Sequence, residues 1–113
     1  MELRLIETSD ELTHLALIGR LDIAGVGGIE TKFTGYTSAR HKTTLVDMSE
    51  VTFLSSLGIR LLLGVAKSLQ ANGLRLILIN PQANIRETLT LSSLDQIIPI
   101  VASKEEALGL ANA

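Results

Sequence analysis

The stretch Leu74-Arg75-Leu76-Ile77-Leu78-Ile79 narrows the fold more than any other part of the chain. It is apolar at every position but Arg75, and it is bracketed by the breakers Asn72-Gly73 and Asn80-Pro81. A strand that is apolar at successive positions, rather than alternate ones, has no face to give to water. It predicts a central strand buried on both sides, which calls for helices above and below a mostly parallel sheet. The core of that sheet must be aliphatic, because Phe, Tyr and Trp together make only 3% of the chain while hydrophobic residues make 46%.

The rest of the pattern fits an α/β domain. Leu3, Leu5, Leu15 and Leu17 alternate with more polar neighbours around Thr8-Ser9-Asp10-Glu11, which predicts a hairpin of two strands over about 2–8 and 13–20. Val26, Ile29, Phe33 and Tyr36 fall at helical spacing between Asp22 and Lys42, although Gly25, Gly27, Gly28 and Gly35 weaken that helix. Thr43 to Met48 reads as a strand, with Val51 to Leu54 a loop or a brief extension. A strong helix is predicted from Ser56 to Asn72 with Leu57, Leu61, Leu62, Val65, Ala66 and Leu69 inward, ended by Gly73. A short helix over 83–91 follows, using Ile85, Leu89 and Leu91. Ile97 to Val101, around Pro99, reads as an edge strand. Ser103 caps a final helix, with Glu106 at the capping-box position and Leu108 inward. The expectation is one domain over residues 1–113: a mixed, mostly parallel sheet with an N-terminal hairpin and about four helices.

Several functions are disfavoured. Ten basic residues against 12 acidic ones leave a formal charge of -2, and stacking aromatics are scarce, so nucleic acid is not an expected direct partner. The absence of cysteine removes disulfides, thiolate ligands and thiol catalysis. Met1-Glu2-Leu3-Arg4-Leu5 lacks the apolar run of a signal peptide, and no stretch reaches bilayer length, so a cytoplasmic protein without membrane insertion is expected. Gly25-x-Gly27-Gly28 lacks the Lys-Ser/Thr of a phosphate loop, and Gly-x-Ser-x-Gly is absent around Ser56. His14 and His41 lack metal-ligand spacing and read as surface or edge-strand residues. No cofactor, metal or catalytic residue is assigned, and the chain is not expected to be an enzyme.

The most informative segment is Asp47-Met48-Ser49-Glu50-Val51-Thr52-Phe53-Leu54-Ser55-Ser56-Leu57-Gly58-Ile59-Arg60. A strand runs into a loop, and two serines stand at the mouth of the strong helix. On helix chemistry alone, Ser55 or Ser56 is simply an N-cap. A helix start also favours negative charge, so a phosphate on Ser56 would sit there at little internal cost. It would add about -1.5 to -2 charge to a surface open to partners. At roughly 100° per residue, Ile59 and Leu63 come out opposite the inward stripe, beside Arg60 and Lys67. They are read either as a contact surface next to Ser56 or as ordinary exposed aliphatics.

The segment resembles the signature of the STAS domain, in particular that of the stand-alone anti-sigma factor antagonists. Asp47-Met48-Ser49-Glu50-Val51-Thr52-Phe53 is similar to the family's lead-in, and Ser55-Ser56-Leu57-Gly58-Ile59 to its switch. Gly19-Arg20-Leu21-Asp22 and Asn72-Gly73-Leu74-Arg75-Leu76 resemble two further family strand boundaries. Two positions depart from the pattern: Ser55 stands where many members have Asp, and Leu57 where a small residue is usual. The resemblance implies phosphorylation of Ser56, with Ser55 as the rival acceptor. Together with the helix geometry of Ile59, Arg60 and Leu63, it gives an expected docking surface of Asp22, Ser55, Ser56, Leu57, Gly58, Ile59, Arg60 and Leu63. It further implies an anti-sigma factor with serine kinase activity as partner, bound when Ser56 is unphosphorylated so that a sigma factor is released, and a serine phosphatase that resets the switch. The alternative is a constitutive STAS subunit of a larger signalling or membrane transporter assembly, without phospho-regulation.

Overall fold

The computed structural model describes residues 1–112 and shows the expected α/β architecture. Strands β1 (Glu2–Thr8) and β2 (Leu12–Leu21) form the hairpin, α1 is Ile23–Tyr36, β3 is Thr43–Leu54 and α2 is Ser56–Ala71. They are followed by β4 (Leu76–Ile79), α3 (Ala83–Leu91), β5 (Ile100–Val101) and α4 (Lys104–Ala111). The five strands lie side by side in sequence order, β1 antiparallel to β2 and every later pair parallel. Parallel neighbours need crossover helices, which is why a helix follows each of β2, β3 and β4.

The two faces of the sheet are closed unequally. Leu15, Leu17, Val46, Met48, Leu76 and Leu78 form one cluster with Phe33 of α1, Leu62 of α2 and Ile85 of α3. The other face holds a smaller cluster of Leu45, Ile77, Ile79 and Val101, closed by Ala107 of α4. Leu76 to Ile79 is buried throughout, so the apolar run behaves as predicted, but the strand starts at Leu76 and lies fourth of five. Leu74 stays half-buried and Arg75 exposed.

Other boundaries differ for physical reasons. β3 runs on through Val51 to Leu54 because β2 keeps pairing with it as far as Leu21–Leu54, across two register shifts. Two irregularities in one ladder break the apolar–polar alternation by which a strand is recognised. The segment expected as an edge strand is a strand only at Ile100–Val101. Before it, Leu94–Gln96 makes a 3-10 turn, and Ile98 is buried, 1% exposed. Leu91 points to solvent at 79% exposed rather than inward, and in α4 the fully buried residue is Ala107, with Leu108 half-buried. His14 is not a surface residue: it sits on β2, inside the sheet, at 7% exposed. His41 is exposed.

Candidate functional site

β2 and β3 end side by side, and each hands the chain to a helix whose N-terminus emerges at the same edge of the domain. Parallel neighbours make this unavoidable, since both strands point the same way. Asp22 caps α1: its Oδ1 accepts a hydrogen bond from the Gly25 N–H at 2.8 Å. Ser55 caps α2, where its Oγ accepts from the Gly58 N–H at 3.2 Å and donates to the Leu21 carbonyl at 2.6 Å. The Ser55 N–H donates to that same carbonyl at 3.0 Å. Ser55 therefore ties the two loops together, and the cap left open by the sequence is Ser55, not Ser56.

Ser56 occupies the first helical position and is exposed, and its hydroxyl makes no hydrogen bond among the described residues. A Ser55→Ala variant should lower stability by about 1–2 kcal/mol, the cost of a lost cap with a second hydrogen bond removed. Thermal unfolding checks this, with Ser56→Ala expected to be nearly silent.

Asp22 is the anionic component of the site. The Gly25 N–H, and then the Arg20 guanidinium beside it (Nε to Oδ2 3.2 Å), hold its carboxyl below the ordinary carboxylate range. It is thus a fixed negative charge near neutrality. Arg20 also lies over the Phe53 ring, 4.3 Å from its centroid, so Asp22, Arg20 and Phe53 form one chain of contacts across the ends of β2 and β3.

Close approach explains two glycines. A side chain at Gly25 would run into the Arg20 carbonyl, and one at Gly58 would meet Leu54 and Leu21 at 2.9–3.0 Å. Both helix starts are pressed against the ends of the strands before them. The sequence signal for this is a glycine three residues after each cap, Asp22…Gly25 and Ser55…Gly58.

The structure brings Asp22, Ser55 and Ser56 together but corrects the face assignments on α2. Leu57 is not part of the buried stripe; it is 36% exposed. Ile59 and Leu63 do not point away from the core: both are partly buried against the large cluster. Removing Leu57 from the stripe turns its centre toward Gly58, Leu62 and Leu69, which leaves Ile59 and Leu63 on its flank. Arg60 is exposed as expected. On the other flank Leu57, Arg60 and Leu61 face Val26 and Glu30 of α1 across an open groove of about 410 Å³. Ile23, directly after the Asp22 cap, is 77% exposed and went unnoticed in the sequence. Among the described residues, no group of three or more His, Asp or Glu side chains is placed to hold a metal ion, and no helix is long and apolar enough to cross a membrane.

The STAS domain model matches residues 4–107. The chain belongs to the STAS domain family. A relative from Bordetella bronchiseptica named as the anti-sigma factor antagonist BtrV is 26% identical over 98 residues, covering 87% of this chain and 84% of that protein. SpoIIAA, an anti-sigma factor antagonist, has been solved unphosphorylated; it is 28% identical, with a TM-score of 0.77 over 95% of this chain and 93% of that one. Its phosphorylated form, described as a Bacillus cell fate determinant, gives a TM-score of 0.67 over 96% and 97%. A Thermotoga maritima structure shares the fold at a TM-score of 0.85 over 99% and 94%, with 18% identity. In this STAS domain the motif that carried the resemblance lies at the joined ends of β2 and β3.

Proposed function

We propose that this STAS domain is an anti-sigma factor antagonist whose binding is switched off by phosphorylation of Ser56. The observation that carries the reading is the division of labour between the two serines. Ser55 is half-buried and bonded twice, whereas Ser56, one residue on, is exposed and free of side-chain hydrogen bonds among the described residues. A kinase needs a hydroxyl it can reach, and Ser56 supplies it without loss of the cap. The named relatives BtrV and SpoIIAA, and the existence of SpoIIAA in a phosphorylated form, support the same reading.

The mechanism is electrostatic. The partner, an anti-sigma factor with serine kinase activity, docks on a surface centred on Asp22, Ser56, Leu57 and Arg60. Phosphate on Ser56 brings about two negative charges to the middle of that surface. There it adds to the fixed negative charge that Asp22 carries at the neighbouring helix start, and every partner group matched to a neutral hydroxyl is mismatched. The phosphate itself is tolerated by the first turn of α2, whose leading N–H groups have no intrahelical acceptor. A serine phosphatase restores the neutral form. ATP and Mg²⁺ belong to the kinase; this chain supplies the acceptor and the docking surface, in the cytoplasm.

The test is intact mass and peptide mapping of the protein from its native host, with and without phosphatase. One phosphatase-sensitive phosphate, on Ser56, is expected. Protein left unmodified under every growth condition would instead favour a constitutive interaction subunit, for which the exposed Leu57 and Ile23 offer a permanent apolar contact.

A further inference from the structure

The face of the sheet covered by α4 holds a polar group that the Ser56 site does not use. His14 is buried in β2, and neither Nδ1 nor Nε2 has a hydrogen-bond partner among the described residues. A buried imidazole left unpaired is costly when neutral and more so as a cation, because burial penalises charge most. The ladders fix what lies beside it: Glu7 opposite on β1 and Leu45 opposite on β3. Each of these neighbours is a point where α4 is fastened. Leu45 belongs to the cluster closed by Ala107, and the Glu7 carboxylate is bridged at 3.3 Å by Lys104, the first residue of α4.

We infer that His14 is an acid-operated latch for α4: its neutral ring lets the helix lie on the sheet, and its protonation by solvent lifts the first turn of the helix and uncovers the face of Leu45, Ile77 and Ile79.

The charged groups facing the ring are Lys104 from α4, Asp47 from β3 and Glu7 from β1. Burial first, and Lys104 second, disfavour the imidazolium and outweigh the two carboxylates, so the ring takes its proton below the ordinary value of 6.5. When α4 opens, the ring is released toward that ordinary value. The closed form therefore keeps its full advantage above about pH 6.5 and loses it as pH falls from there to the closed-state value, below which the loss levels off.

The test follows the His14 ring by NMR and the amide hydrogen exchange of residues 104–111 in the full chain, between about pH 7.5 and pH 5. The α4 amides should lose about tenfold or more of their protection, after correction for intrinsic exchange, with the midpoint of the His14 ring. The amides of Leu62 to Leu69 should keep theirs. In Glu7→Gln, which removes both the bridge to Lys104 and one carboxylate favouring the cation, the two midpoints should shift together, each by the same amount. His14→Gln, which cannot titrate, should give a flat α4 profile. An α4 that stays protected to about pH 5, a midpoint that does not follow the ring, or a loss that persists in His14→Gln would each overturn the latch. Should His14→Gln fail to fold, the two midpoints in the wild-type chain and in Glu7→Gln still decide.

Discussion

Ser56→Asp should bind the anti-sigma partner about 30-fold or more weakly than Ser56→Ala, since leaving a charge unpaired in an interface costs about 2 kcal/mol or more. The Asp carboxylate stands in for part of the phosphate charge, at a domain edge where Asp22, pinned by Arg20 at the neighbouring helix start, is already anionic. Ser56→Ala removes only a hydroxyl with no partner inside the domain, so it should bind within about threefold of wild type. It should also resist inactivation by the kinase. Ser56→Asn separates charge from size: if charge is the switch, Asn binds like Ala, and if bulk is the switch, Asn binds like Asp. Titration calorimetry with the cognate anti-sigma factor reads all three. Equal affinities for Asp and Ala would remove the phospho-switch from consideration.

The second large effect falls on stability. Gly25→Ala should destabilise the domain by about 3 kcal/mol or more, because the new Cβ would be driven into the Arg20 backbone carbonyl, which has no rotamer to escape by. At roughly 4 °C per kcal/mol for a chain of this size, the melting temperature should fall by about 10 °C or more. Gly27 lies two residues on in the same helix, with open space where its Cβ would be. There the same substitution should stabilise by about 0.5–1 kcal/mol, through helix propensity and a less mobile unfolded chain. Thermal melts of the two variants should move in opposite directions. If both rose, α1 would not be pressed against the end of β2 as described.

These glycines mark where reading the sequence succeeded and where it stopped. Leu76 to Ile79 and the stripe from Leu61 to Leu69 were legible because each encodes burial by its own spacing. The end of β2 before Asp22 and the start of α2 at Ser56 were legible through local motifs. What could not be read depended on elements far apart in sequence. The end of β3 was obscured because Ser49 and Thr52 fall at the two shifts in register with β2, while Glu50 between them pairs with Ile18. Ile59 and Leu63 were turned outward because the stripe was centred with Leu57 included. Leu57 in fact stands over the groove toward α1, whose position a helical wheel of α2 does not contain. His14, a polar residue in an alternating strand, read as solvent-facing because nothing in β2 announces a helix some 90 residues later.

That helix carries a consequence for biosynthesis. α4 follows in sequence every strand it covers, so the face of Leu45, Ile77 and Ile79 cannot close until residues up to Ala111 have left the ribosome. At about 5–20 residues per second, the interval between the emergence of Ile79 and that of Ala111 is roughly 2–6 s. Through that interval the nascent domain carries a bare aliphatic sheet face, already covered on its opposite side by earlier helices. Its yield in a cell should therefore be governed by translation speed and chaperone supply over those few seconds, more than by the stability of the finished domain.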